Sequence, residues 1–131
     1  MIVISKGQTI LLDTNTPVLK FLLINGGTLL FDRDMPSIEL QAEYILVVGG
    51  GKLQVESEEE PYANRAIITM HGNVRCTEMP VYGCKVIGIR KGSLDIHGAP
   101  IPVTWTLLVI GTAWGKMKNI VLYQSLTMDT E

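Results

Sequence analysis

The sequence predicts an all-β fold, and within that class a glycine-punctuated β-solenoid whose coils stack like a right-handed parallel β-helix. Apolar residues occur in short bursts separated by glycine-containing turns, and not at the spacing of a helix. A turn pattern with a glycine at a fixed place also returns four times along the chain. Stacked coils account for this recurrence, because each coil of a solenoid buries its apolar face only against its neighbours.

Short apolar segments predict strands along almost the whole chain, and no segment has the pattern of a long helix. In order, the predicted strands are Val3 to Ile4, Thr9 to Leu12, Phe21 to Ile24, Thr28 to Phe31, Ile38 to Leu40, Tyr44 to Val48, Leu53 to Val55, Ala66 to Met70, Val86 to Ile89, Leu94 to Ile96, Val103 to Ile110 and Ile120 to Tyr123.

The repeated turn consists of an apolar residue, two turn residues, a glycine, one further residue and then a strand. It occurs at Gly7, Gly27, Gly51 and Gly92, which we predict to be structural turn glycines. Successive members lie 20, 24 and 41 residues apart, and the two shorter intervals match one coil of a solenoid. The longest interval predicts either two coils or one coil with an inserted loop.

An antiparallel β-sandwich is the alternative architecture. Asn25-Gly26 and Gly49-Gly50 are dipeptides that favour tight hairpin turns, so each turn could join antiparallel neighbours. That arrangement explains each turn separately but not why the same pattern recurs in register. The sequence therefore favours stacked coils.

The repeat also predicts which side chains point inward. Four residues after the glycines stand Leu11, Phe31, Val55 and Ile96, predicted to face the core. The preceding, outward position holds Ile10 and Leu30 in the first two repeats but Gln54 and Asp95 in the later two. We therefore expect another segment or a neighbouring domain to cover the outer face of the first coils.

Composition and charge restrict the class of protein. A chain of 131 residues with 47% apolar and 18% charged residues is typical of one globular domain, assigned here to residues 1–124 with a short tail at 125–131. A net charge of -2 argues against binding of nucleic acid. We also expect no membrane insertion, because no apolar run is long enough and the first residues lack the pattern of a signal peptide.

Two cysteines, Cys76 and Cys84, lie in a segment with the composition of an irregular loop. Their short separation is compatible with a disulfide that closes this loop, and two free thiols are the alternative. Zinc binding is not expected, because the two histidines do not stand at ligand spacing from the cysteines.

The two histidines occur in similar phrases, Ile-Thr-Met-His71-Gly72 and Leu-Asp-Ile-His97-Gly98. Because the phrase is repeated, we predict that each His-Gly pair terminates a strand and that each imidazole bonds a nearby backbone group. No nucleophile motif accompanies them, so no catalytic residue, metal site or cofactor is predicted.

Acidic residues and tryptophans are the remaining candidates for ligand contacts. Asp32 and Asp34 and the run from Glu56 to Glu60 could contribute to a glycosidase or calcium site, but such runs are typical of solvated loops. Trp105 and Trp114 could stack on a sugar ring. The alternation around Trp105 instead favours a core position for that side chain.

Ten phrases follow one another along the chain in the order of a known module: the phrase that begins at Val3, then Gly7 to Asp13, Leu23 to Phe31, Ile38 to Val47, Gly49 to Leu53, Glu58 to Tyr62, Ala66 to Gly72, Tyr82 to Val86, Gly92 to Gly98 and Thr104 to Leu107. Together they resemble the G-eight domain, an extracellular module named for its eight glycines. It occurs in fibrocystin, fibrocystin-L and the cell-migration-inducing hyaluronan-binding proteins. The phrases ending in Tyr62 and Gly83 resemble the fibrocystin branch more than the hyaluronan-binding branch.

The resemblance implies a β module that lies beside parallel β-helix repeats in a large membrane-anchored or secreted protein. Our first functional hypothesis is a noncatalytic extracellular module that packs on those repeats and presents loops to a protein or glycan ligand. The alternative is a carbohydrate-active module that binds hyaluronan or assists its cleavage. Cys84 departs from the family pattern, so a bond to Cys76 would be a staple particular to this chain.

Overall fold

The computed structural model describes residues 1–103 and 105. Its strands are β1 (Ile2–Ser5), β2 (Thr9–Leu12), β3 (Leu19–Asn25), β4 (Thr28–Phe31), β5 (Ser37–Val48), β6 (Lys52–Val55), β7 (Arg65–Met70), β8 (Val86–Arg90) and β9 (Ser93–Ile96). The described residues form no helix that could cross a membrane.

The strands form two parallel sheets that share one core. The first sheet has the order β1-β3-β5-β7, with β8 also paired to β5, and the second has the order β2-β4-β6-β9. The chain alternates between the sheets, so each coil supplies a strand to both of them. This arrangement confirms the all-β, β-helix-like prediction, and the antiparallel sandwich is wrong because every ladder between these strands is parallel.

Apolar side chains from both sheets fill the space between them. Ile4, Leu22, Ile24 and Ile45 from the first sheet and Leu29, Phe31, Leu53 and Val55 from the second belong to one buried cluster. Each sheet buries its inner apolar face against the other sheet and against the neighbouring coils, because a single coil cannot bury that face alone.

The fourth coil explains the long interval between Gly51 and Gly92. β7 pairs with the first half of β5, from Ser37 to Ala42, and β8 pairs with the second half, from Tyr44 to Val48. Residues 71–85, called here the stapled loop, connect β7 to β8. The interval of 41 residues is therefore one coil with an insertion, as one of the two predicted readings required. β5 itself merges two predicted strands into a single strand of 12 residues.

The register of the first coil differs from the predicted repeat by one residue. Thr9 pairs with Thr28, so Gln8 and not Gly7 stands opposite Gly27. Ile10 consequently pairs with buried Leu29, on the inward side, and Leu11 pairs with Leu30. The predictions that Ile10 faces outward and Leu11 inward are wrong, because ladder pairing and not the distance from a glycine sets the face.

The structure describes only part of the last two predicted strands. Val103 and Trp105 lie outside the strands. Residues 106–110, the predicted strand at 120–123, Trp114 and the predicted boundary at 124 lie outside the described residues.

Candidate functional site

The glycines that join the two sheets form a corner along one side of the solenoid. Gly27, Gly51 and Gly92 stack in register, as the pairing of the residues that follow them shows. A Cβ on Gly27 would lie 2.5 Å from Cγ2 of Ile4 and 2.6 Å from the carbonyl oxygen of Ser5. These glycines are thus needed because the preceding coil comes too close for any side chain.

Gly7 has a different role from the other three predicted turn glycines. Its φ is +84°, and a Cβ there would meet no atom within 4 Å. Gly26 and Gly50 hold the same place in later coils, with φ of +78° and +83°. These three glycines serve the left-handed backbone conformation, whereas Gly27, Gly51 and Gly92 serve close approach.

A polar ladder on the first sheet joins three segments and includes His71. Nε2 of His71 lies 2.9 Å from Oε1 of Gln41, and the amide nitrogen of Gln41 donates to the carbonyl of Thr16. Thr69 donates to Glu39 at 2.6 Å in the same pair of strands. The imidazole of His71 therefore bonds a side chain and not the backbone group that the sequence led us to expect.

The two His-Gly pairs lie on different sheets. His71 follows β7 and its main-chain nitrogen donates to the carbonyl of Ala42, whereas His97 follows β9 and donates to the carbonyl of Val55. Gly72 lies against Lys85, and Gly98 pairs with Tyr62. The structure does not bring the two imidazoles together, so it gives no histidine pair for acid–base chemistry.

Arg33 organises the acidic loops at the other end of the second sheet. Its guanidinium lies 2.6 Å from Oε2 of Glu60 and 3.5 Å from Oε1 of Glu56. Hydrogen bonding to Glu60 and the charge of Glu56 raise the pKa of Arg33. Sequence analysis missed this residue, because only the fold brings position 33 beside positions 56 and 60.

Tyr62 lies under the same loops and is buried. Its hydroxyl donates to the carbonyl of Asp32 at 2.9 Å, and its main-chain nitrogen donates to the main-chain carbonyl of His97. Burial, with a smaller contribution from the charge of Asp32, raises the pKa of Tyr62 above its ordinary value. This residue therefore ties the second, third and fourth coils together.

Cys76 and Cys84 form a disulfide in the stapled loop, with their Cα atoms 6.3 Å apart. Met79 and Gly83 exchange two main-chain hydrogen bonds inside the closed ring. The hydroxyl of Tyr44 donates to the carbonyl of Thr77, which holds the loop over the outer face of the first sheet. The loop is thus fixed both to itself and to β5.

Trp105 is 73% exposed, so the expected core position for this side chain is wrong. Its exposed indole leaves a stacking surface available for a ring. Among the described residues, no group of three or more histidine, cysteine, aspartate or glutamate side chains could hold a metal ion.

The polar contacts described above connect successive coils of the solenoid. In the described part of the chain, the polar side chains named above bond one coil to the next, and none pairs a nucleophile with a base. What the geometry defines is a parallel β-solenoid with a tight glycine corner and a disulfide-closed loop.

The chain belongs to the G8 domain family, whose model matches residues 1–109. Over 97% of its length it is 52% identical to fibrocystin-L of Homo sapiens, and over 82% it is 41% identical to fibrocystin of Mus musculus; it covers 3% of each of these proteins. It is also 34% identical, over 80% of its length, to the cell migration-inducing and hyaluronan-binding protein of Homo sapiens, of which it covers 8%. No solved structure matches.

Proposed function

We propose that this chain is a noncatalytic structural and interaction module in the extracellular part of a large, membrane-anchored protein of the fibrocystin type. Its first partners are neighbouring parallel β-helix repeats of the same polypeptide. The observation that carries this proposal is the use of the polar side chains: Arg33 with Glu60, and His71 with Gln41, bond one coil to another. Side chains that bond neighbouring coils in this way stabilise the solenoid as a scaffold.

The outer surface of the first coils also favours a covered position in a larger assembly. With the register corrected, Leu11 and Leu30 form an apolar stripe on the outer face of the second sheet, and the later coils continue it with Gln54 and Asp95. Leu11 is exposed, and Asp95 forms an ion pair with Lys52 at 2.8 Å. A partner over the stripe would bury the leucines without removing this ion pair from water.

The disulfide supports an extracellular location. Disulfides persist in oxidising compartments and are rare in the cytosol. The bond between Cys76 and Cys84 closes a short loop on the surface, where a reducing compartment would open it.

Binding of hyaluronan is the second candidate, and exposed Trp105 is the observation that favours it. One relative is named as hyaluronan-binding. An indole can stack on a sugar ring, and such contacts need an exposed aromatic face.

A titration with hyaluronan oligosaccharides separates the two functions. We expect no saturable change in tryptophan fluorescence or amide chemical shifts and no shortening of hyaluronan on incubation with the chain. Trp105→Ala serves as the control for the fluorescence signal, and Trp114→Ala for the second indole. Saturable shifts that disappear in Trp105→Ala alone would replace the first function with the second.

A further inference from the structure

The glycine corner allows stacking only under one condition. A Cβ on Gly92 would lie 2.8 Å from Cγ1 of Val47 and 2.9 Å from the carbonyl oxygen of Gly51, and Gly27 is still tighter against Ile4. Cβ atoms in proteins essentially never come within 3.0 Å of another heavy atom in this way. A coil therefore stacks on the preceding coil only when its own corner residue has no Cβ.

The first coil does not meet this condition. The nitrogen of Thr28 donates to the carbonyl of Gln8 at 2.9 Å, and the same bond recurs from Lys52 to Gly27 and from Ser93 to Gly51. Gln8 thus holds the corner place that glycine holds in later coils. Its side chain turns back to accept a hydrogen bond from the nitrogen of Ser5 at 2.8 Å. A coil of this geometry placed before β1 and β2 would collide with the Cβ of Gln8.

The opposite end of the same corner is open. Ile4, Ile24, Val47 and Ile89 form one inward column through the ladder of the first sheet. Ile4 is 1% exposed although it belongs to the first coil, whereas Ile89, in the last coil of the described residues, is 43% exposed. In each earlier coil this column member lies against the corner glycine of the next coil. Ile89 could make the same contact with a corner glycine of a following coil, and its side chain is exposed to solvent.

We infer that the corner formed by Ile89 and Gly92 is the docking surface for one further parallel β coil of the same polypeptide, and that this coil places a glycine against Ile89. The inference rests on the proposed function, because it names the surface and the direction in which neighbouring repeats add. The chain spans about 3% of the length of its fibrocystin relatives, so a protein of that type has ample chain for such a coil. A second copy of this chain does not fit there, since its first corner residue is Gln8.

Two matched variants test the direction of stacking. Ile89→Asp and Ile10→Asp change inward isoleucines of equal exposure, 43% and 42%, at opposite ends of the solenoid. Each is compared with the unmodified sequence in the 131-residue chain and in the full natural polypeptide in which this sequence occurs. Amide hydrogen exchange is then read over β1–β2 and over β8–β9.

We expect exchange in β8–β9 to be at least tenfold slower in the full polypeptide than in the short chain, and Ile89→Asp to abolish that difference. Exchange in β1–β2 remains equal in the two contexts, Ile10→Asp does not remove the β8–β9 protection, and the short chain sediments as a monomer. If β1–β2 gains the protection instead, the inferred direction is wrong while stacking itself stands. If the short chain dimerises through Ile89, the inferred occupant is wrong, because a second copy and not a further coil of the same polypeptide takes the surface. If neither end changes and both variants behave alike in both contexts, the proposed function fails too.

Discussion

Nε2 of His71 lies 2.9 Å from Oε1 of Gln41, and the nitrogen of that same amide donates to the carbonyl of Thr16 at 3.2 Å. Because the amide nitrogen is engaged with a carbonyl, the oxygen of Gln41 must face the imidazole. An oxygen accepts, so the hydrogen of this contact belongs to Nε2 of His71. The fold therefore determines the tautomer of His71, because it brings Thr16, Gln41 and His71 together from separate segments of the chain.

The tautomer is directly measurable. Long-range nitrogen-15 NMR correlations of the His71 ring are expected to show the hydrogen on Nε2 at a pH where the ring is neutral. Gln41→Ala should lower the free energy of unfolding by about 1–2 kcal/mol, because it leaves two polar partners unsatisfied. A neutral ring that carries its hydrogen on Nδ1 in the unmodified protein would contradict this account.

The two kinds of corner glycine should respond in opposite order to the same substitutions. At Gly51, Ala should cost about 1–3 kcal/mol and Asn more, because the main chain of Ile24 lies against the position. At Gly50, with φ of +83° and open space, Ala should cost about 1 kcal/mol and Asn less, because Asn tolerates the left-handed conformation. Urea unfolding of the four variants measures the order, and equal ranking at both positions would show that crowding and φ are not separable here.

Removal of the disulfide should loosen the stapled loop without unfolding the sheets. In Cys76→Ser with Cys84→Ser, the unfolded state gains the freedom of an opened short loop, so the free energy of unfolding should fall by about 2 kcal/mol. Hydrogen exchange should rise more over residues 71–85 than in β3 and β4, because the loop opens locally whereas the core strands exchange only through global unfolding. The mass of the native protein after thiol blocking provides the control, since two blocked thiols would mean that the bond is absent.

Tyr62 should make the protein less stable in alkali. Its pKa is raised from 10.0 in the folded chain, so the folded state holds the hydroxyl proton more tightly than the unfolded state. This contribution is complete below about pH 10 and is lost as the pH rises through the folded pKa. Tyr62→Phe should cost about 1 kcal/mol at neutral pH through the lost hydrogen bond to Asp32.

The difference in free energy of unfolding between the unmodified protein and Tyr62→Phe tests this prediction. Chemical unfolding between pH 8 and pH 11 should show the gap in stability between the unmodified protein and Tyr62→Phe narrowing above about pH 10. A gap that stays constant over this interval would mean that the hydroxyl does not titrate differently on folding.

The sequence alone established the strands and corner glycines of the later coils. Lys52–Val55 alternates in hydrophobicity, Thr28–Phe31 is a short apolar burst, and the glycine before each segment marks the turn. These are local signals, because a side chain's preference for one face and a residue's need for a tight turn depend on its own neighbours in the chain. The spacing of Gly27 and Gly51 was enough to predict one coil.

Only the tertiary structure decided how the coils meet. It placed Gln8 opposite Gly27, joined β7 and β8 to the two halves of β5, and brought Arg33 beside Glu56 and Glu60. Register between parallel strands depends on packing across residues about 20 to 40 positions apart, and a local pattern shifted by one residue looks equally good. The direction of stacking can be inferred only from the three-dimensional surroundings of Gly27 and of Ile89. Close approach depends on two neighbouring coils together and not on either coil alone.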